Sequence, residues 1–262
     1  MTDWLALCRA AVEDVRGVLT DLPLRSDREP VVGSGMGGDE TTAIDAAAEH
    51  AILARFEGLD GLTIVSEEVG VIGAGETFVV IDPIDGSLNA KRGIGFFALS
   101  IAVASGPTMA EVDFGFVHDF GTGEEWTATR GEGARLDGKP LAGELPKEQI
   151  EILAFEATRT VSVAEQAAAV VDLAYRLRIM GSLALSLCHL AAGRIDAVCS
   201  LKPARAVDIA AAQLLVVERG LAIDLPDAPP FAAAPLDVEG RSRVVAAGTP
   251  EVCRQLAHAL SA

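Results

Sequence analysis

The feature that most constrains this chain is an apolar run that ends in acid: Phe78-Val79-Val80-Ile81-Asp82-Pro83-Ile84-Asp85-Gly86-Ser87. The run Phe78–Ile81 predicts a buried strand. It delivers Asp82 at its end, and Pro83, which has no amide hydrogen, is expected to stop it. Asp85 returns three residues later on the same turn, so both carboxylates reach one small volume. The backbone N–H groups of Gly86 and Ser87 follow and could face an anion. Taken alone, the segment also fits a surface turn, since Asp-Gly is a common hairpin signal.

Other acids sit in comparable places. Ser66-Glu67-Glu68 follows the apolar run Leu62–Val65. Asp45 lies on a helix that begins near Thr42, and Thr42-x-x-Asp45 also fits a capping box. Asp208 precedes the apolar helix Ile209–Val217, where an N-cap is the plain alternative. Together they put carboxylates at the ends of apolar elements. Hard oxygen ligands in an open arrangement suit Mg²⁺, which keeps waters and binds phosphate oxygens. The histidines, His50, His118, His189 and His258, are far apart and form no HExxH pair, which disfavours zinc.

The flanking pattern mixes helices and strands. Apolar positions recur at helical spacing from Asp3 to Leu22, and a glycine-rich stretch, Gly33-Ser34-Gly35-Met36-Gly37-Gly38, predicts a mobile loop. Short β-like runs follow at Phe97–Ala104, Val112–His118 and Glu125–Arg130, and Gly131–Leu145 is rich in Gly, Pro and charge. A boundary near Leu145 is expected to divide the chain into an N-terminal part, 1–145, that carries most of the candidate metal-binding acids, and a C-terminal part, 146–262, with Asp208. Beyond it, helices are expected at Val163–Tyr175, Leu183–Ala192, Ile209–Arg219 and Pro250–Leu260. Strands are expected at Arg178–Met180, Ala197–Ser200, Leu221–Asp224 and Arg243–Ala247, with a loop at Pro226–Pro235. The first half therefore reads as α+β and the second as α/β.

Charge narrows the function classes. A net charge of −17 argues against nucleic acid or anionic lipid as a partner. Bound divalent cations would still reverse the field at a local site. Cys8, Cys188, Cys199 and Cys253 are scattered, as befits buried thiols in a reducing compartment. The start, Met1-Thr2-Asp3-Trp4, does not look like a signal peptide, and apolar runs such as Ile209–Val217 are too short to span a bilayer. A soluble, cytoplasmic protein is expected.

The segment DPIDGS (Asp82 to Ser87), preceded by SEE (Ser66 to Glu68) and followed by VDIAAA (Val207 to Ala212), resembles the inositol monophosphatase family. Within that family the match is closest to the archaeal-type enzymes that also act on fructose 1,6-bisphosphate. GGDETTAID (Gly37 to Asp45) and RIMGSLALSLCHLAAGRID (Arg178 to Asp196) extend the resemblance. It implies an α+β protein built as a layered α/β/α/β/α sandwich, a homodimer, and two or three Mg²⁺ ions per subunit. It also implies that Glu67, Asp82 and the Ile84 carbonyl hold one metal, and Asp82, Asp85 and Asp208 a second. Glu67, with Asp45 acting through water, serves a third position. Asp45, Glu67 and Ser87 then orient and deprotonate the attacking water, and the Gly86 and Ser87 amides hold the phosphate.

Three positions depart from the family pattern. Val207 stands where Trp is frequent, Asn89 leads to Ala90-Lys91-Arg92 rather than an aromatic, and no lysine lies between Val31 and Ile44. Substrate selectivity is expected from the second half, at Arg176, Arg178, Gly181, Ser182, Lys202 and Arg205. Its cations could hold a second phosphate, favouring fructose 1,6-bisphosphate over inositol monophosphate. Adenosine 3′,5′-bisphosphate stays open as a substrate. So does a non-catalytic, metal-binding regulatory protein. Asp82 and Asp85 are three apart, unlike the DxD of aspartyl-phosphate enzymes, and no P-loop is present.

Overall fold

The computed structural model describes residues 2–36, 38, 40–156 and 159–261. An eight-stranded sheet is drawn from β3 (Leu62–Ser66), β4 (Gly70–Gly73), β5 (Thr77–Asp85), β6 (Ala98–Ala104), β7 (Val112–Asp119), β8 (Glu125–Thr129), β9 (Gly133–Leu136) and β10 (Lys139–Pro140). Its order is β10-β9-β8-β7-β6-β5-β3-β4, antiparallel except for the parallel pair β3–β5. A five-stranded sheet is formed by β11 (Ile150–Glu156), β12 (Ala174–Arg178), β13 (Ala197–Ser200), β14 (Ala222–Asp224) and β15 (Val245–Ala247), in the order β12-β11-β13-β15-β14. Two short strands, β1 (Val31–Ser34) and β2 (Glu40–Thr42), pair with each other ahead of both sheets.

Side-chain alternation fixes the layers. Val79, Ile81, Leu99, Ile101 and Phe116 point to one face of the large sheet, where α1 (Trp4–Asp21) and α3 (Ala43–Leu53) cover them. Val80, Ala98, Ala102 and Val117 point to the other face and meet α6 (Leu183–Ala191) and α7 (Ala206–Glu218). Those two helices are apolar almost all round because they are sandwiched. Their far side packs on Ala154, Val198 and Ala246 of the small sheet. The outer face of that sheet, with Leu153, Phe155, Cys199 and Val245, is closed by α8 (Pro250–Ala259). The expected α+β, α/β/α/β/α layering is what forms.

Several local expectations need correction. β5 does not stop at Ile81 but runs through Pro83 to Asp85. Asp82 pairs with Ser100 and Asp85 with Ala98, so the register slips by one residue between them. The extra residue leaves Pro83 in an irregularity where its missing N–H is not needed, which is where sheets tolerate proline. The Val163–Tyr175 helix is shorter than its alanines suggest. It becomes α5 (Thr160–Gln166), a 3₁₀ turn at Ala167–Val170, and then β12. Parallel pairing of β12 with β11 outweighs local helix propensity there, and the strand ends at Arg178 instead of running to Met180. Gly131–Leu145 contains β9 and β10, so the large sheet continues into it. In the glycine-rich stretch β1 ends at Ser34; Gly37, and Asp39 of the following motif, lie outside the described residues. The charged segment after α1 folds into a single turn, α2 (Arg25–Arg28).

Candidate active site

Glu67 just after β3, the ends of β5, β11 and β13, and the N-terminal turn of α7 open onto one cavity of about 250 Å³ between the two sheets. Glu67, Asp82, Ile84, Asp85, Gly86, Ser87 and Asp208 line it, as do Gly181, Lys202 and Arg205. Residues as far apart in sequence as Glu67 and Asp208 therefore meet here because these strand ends and one helix start converge.

β5 carries the acidic wall. The Asp82 carboxylate accepts the Ile84 amide at 3.0 Å, which folds the irregular turn back on itself. Asp85 accepts the Ser182 hydroxyl at 2.6 Å and the Ala184 amide at 2.7 Å, tying the wall to the start of α6. The Ser87 hydroxyl donates to the Ile84 carbonyl at 3.0 Å. Ser87 begins the short helix α4 (Ser87–Arg92), reached through Gly86 at φ +95°. A Cβ on Gly86 would come to 3.0 Å of the Gly181 and Phe96 carbonyls, so only glycine lets these backbones approach. Gly181 is at φ +89° on the opposite side, against Asn89.

The electrostatics are those of crowded acids. Burial, then the charges of Glu67 and Asp85, push the Asp82 pKa well above the usual carboxylate range. Burial raises Asp85 to about 7 against the pull of Ser182. Glu67 is also raised to about 7 by burial, the Arg205 charge opposing it. Arg205, almost fully buried, donates to Glu67 and lies 3.5 Å from Asp208. Its guanidinium stands among the acids, and its pKa is raised further, with burial opposing the surrounding carboxylates. Among the described residues the acids do not close into a ready-made cluster of three or more ligands. The donor set nevertheless fits a hard divalent cation: four carboxylates and a backbone carbonyl share one buried cavity and repel one another without one.

Not every expected residue lies there. Asp45 does not line the cavity. Its carboxylate accepts the Thr42 amide and hydroxyl, the latter at 2.5 Å, so the capping box forms. The same carboxylate lies 3.9 Å from the Lys91 ammonium, and its Oδ1 is buried with no hydrogen-bond partner. Ser182 sits behind the wall and holds Asp85. Arg176 and Arg178 are on the edge strand β12, exposed. Arg176 lies 3.5 Å from Glu151 and stacks over Tyr175, while Arg178 donates to the Leu177 carbonyl. Lys202 and Arg205 do line the cavity.

Two buried acids were missed by sequence reasoning. Glu49, one turn beyond Asp45 on α3, accepts the Ser66 hydroxyl and the Glu68 and Val69 amides, so it shapes the turn that carries Glu67. Glu156 ends β11 and lines the cavity. Its signal was present: Ile152-Leu153-Ala154-Phe155-Glu156 is an apolar run ending in acid, the pattern that singled out Asp82.

The sequence profile described as the inositol monophosphatase family matches residues 5–261. A fructose-1,6-bisphosphatase/inositol-1-monophosphatase of Archaeoglobus fulgidus is 32% identical, over 94% of this chain and 93% of that protein. A protein of the same description from Methanothermobacter thermautotrophicus is 30% identical, over 98% of this chain and 96% of its own. The crystal structure of an inositol monophosphatase–fructose 1,6-bisphosphatase superposes with a TM-score of 0.87 at 29% identity, covering 99% of this chain and all of that one (100%).

Proposed function

The chain belongs to the inositol monophosphatase family and is a phosphoric monoester hydrolase, and from that premise we propose how it works and on what. The substrate is a small phosphorylated polyol or sugar, inositol monophosphate or fructose 1,6-bisphosphate. The observation that carries this is the cavity in which Glu67, Asp82, Asp85, Asp208 and the Ile84 carbonyl come together.

Two or three Mg²⁺ ions are the proposed cofactor, held by Glu67, Asp82 and Ile84 and by Asp82, Asp85 and Asp208. Bound there, they supply positive charge for the phosphoryl oxygens and make water more acidic. The chain's own groups do the rest. Glu67, which lines the same cavity, orients the attacking water and takes its proton. Ser87 is held by the Ile84 carbonyl, where its oxygen can accept from the attacking water. Asp45 is one helix start away, and its unpartnered Oδ1 suits a relay through water. Amides of Gly86 and Ser87 bind the phosphate. Water adds to phosphorus, the ester P–O bond breaks, and the alcohol leaves with a proton.

The same family reading carries a homodimer. Exposed Val161, Val171, Tyr175 and Ile179, around the edge strand β12, support it, and light scattering of the purified chain tests it. Four buried free cysteines support a reducing, cytoplasmic setting. No described helix is long and apolar enough to cross a membrane.

The experiment is phosphate release with Mg²⁺ from inositol 1-phosphate, fructose 1,6-bisphosphate and adenosine 3′,5′-bisphosphate, each with an EDTA control. EDTA-sensitive release from the first two supports the assignment. Release confined to the nucleotide overturns the substrate class, and no release from any overturns the enzyme.

A further inference from the structure

The mechanism above leaves one buried acid of the cavity unused. Glu156 is 6% exposed, yet it lines the cavity, near enough to Asp85 for its charge to act there. Three donors meet its carboxylate. The Ser186 hydroxyl, at 2.7 Å, and the Met180 amide, at 3.3 Å, reach Oε1, and the Gly181 amide reaches Oε2 at 2.8 Å. A carboxylate offers about four lone-pair directions. Two are used on Oε1 and one on Oε2, so among the described residues one direction on Oε2 stays open. Burial pushes its pKa up, and the three donors pull against that shift, favouring the acceptor form.

The cations around it differ from the sequence expectation. Arg176 and Arg178 lie on β12, outside the cavity, and Arg205 is engaged with Glu67 and Asp208. Lys202 and Ser200 line the cavity with Glu156, and Ser200 is its register partner across β11 and β13. A second phosphate placed here would be set against a buried carboxylate. A hydroxyl would find an acceptor.

We propose that Glu156 determines specificity: it accepts a hydroxyl of the leaving alcohol and selects a polyol with one phosphate over a sugar with two. This rests on the phosphatase reading above. It goes beyond it by naming the residue and the class that the site prefers.

The experiment compares kcat/KM for inositol 1-phosphate, fructose 1,6-bisphosphate and p-nitrophenyl phosphate in wild type, Glu156→Gln and Glu156→Asp. The nitrophenyl ester has no hydroxyl, so it reports catalysis alone. In Glu156→Gln the ratio of inositol 1-phosphate to p-nitrophenyl phosphate should fall about 10- to 100-fold, the range for one hydrogen bond to a charged group. The ratio of fructose 1,6-bisphosphate to inositol 1-phosphate should rise, and Glu156→Asp should recover part of the loss. An equal fall on all three esters would make Glu156 a prop for the Gly181 turn and overturn the proposal. If the variants do not fold, wild type is compared on inositol 1-phosphate and cyclohexyl phosphate. A preference under about threefold would then overturn it. Hydrolysis of none of these esters by wild type would sink the phosphatase reading instead.

Discussion

Two strand ends face the same cavity with the same residue type and opposite surroundings. Asp82 and Asp85, at the end of β5, look onto Glu67 and Asp208, and much of what surrounds them repels a negative charge. Glu156, at the end of β11, looks onto two amides and a hydroxyl, and each of them welcomes one. Burial is the largest upward push on all three. Both ends receive protein donors, Asp85 from Ser182 and Ala184; what differs is the crowd of neighbouring carboxylates, which weighs on Asp82 and Asp85. The β5 end asks for cations. Among the described residues the β11 end is satisfied save for one acceptor direction, so it suits a neutral hydroxyl.

The largest expected effect breaks the β5 side. Asp82→Asn keeps an oxygen for the Ile84 amide but removes a charge at the centre of the acids. Turnover with Mg²⁺ should drop by on the order of a thousandfold. The metal-free variant should melt no lower than wild type, because a repulsion has gone. Near-normal turnover would mean that the acidic wall is not where the chemistry happens.

A smaller effect concerns the cation this chain already places among the acids. Arg205 donates to Glu67 and approaches Asp208, two of the oxygens proposed for metal. Arg205→Ala should tighten Mg²⁺ binding by about tenfold, about 1.4 kcal/mol, measured by titration calorimetry. It should also lower the melting temperature of the metal-free protein. Weaker Mg²⁺ binding in the variant would show that the guanidinium and the ions cooperate rather than compete.

The comparison also predicts a pH slope. Asp85 and Glu67 have native pKa values raised to about 7, above the ordinary 3.8 and 4.5. The native state therefore holds more protons than the unfolded one between those limits. Stability from these groups is complete below the ordinary values and is lost as pH rises through about 7. EDTA-treated protein should melt progressively lower from pH 5 to 8, and saturating Mg²⁺ should flatten the trend. A flat profile without metal would show that burial does not hold these two carboxyls above their ordinary range.

Much of the acidic wall was legible because strand, acid and turn lie within a few residues of one another, as in Phe78–Ser87. Alternation then set the layers, since Val79 and Val80 must face opposite sides of the sheet. What could not be read was long-range pairing. Arg176 and Arg178 had the right charge but fall on an edge strand, a placement decided by β11–β12 pairing and not by local pattern. Glu156 had the pattern, yet its role depends on Met180, Gly181 and Ser186 arriving 24 to 30 residues later. The end of the α-helix at Gln166 was hidden by alanines that suit a helix anywhere.

Asp45 tests the comparison most finely, because it sits at a helix start rather than a strand end. One of its oxygens is committed to Thr42, and the other is buried without a partner. Thr42→Ala removes the hydroxyl that the first oxygen receives and should cost about 1 kcal/mol. For a chain of this size that lowers the melting temperature by about 2–4 °C. If the free oxygen serves the reaction through water, loosening its partner should also cost a few-fold in kcat, with KM little changed. A lower melting temperature with kcat unaltered would leave Asp45 a cap alone. The catalytic carboxylates would then be confined to the strand ends and the first turn of α7.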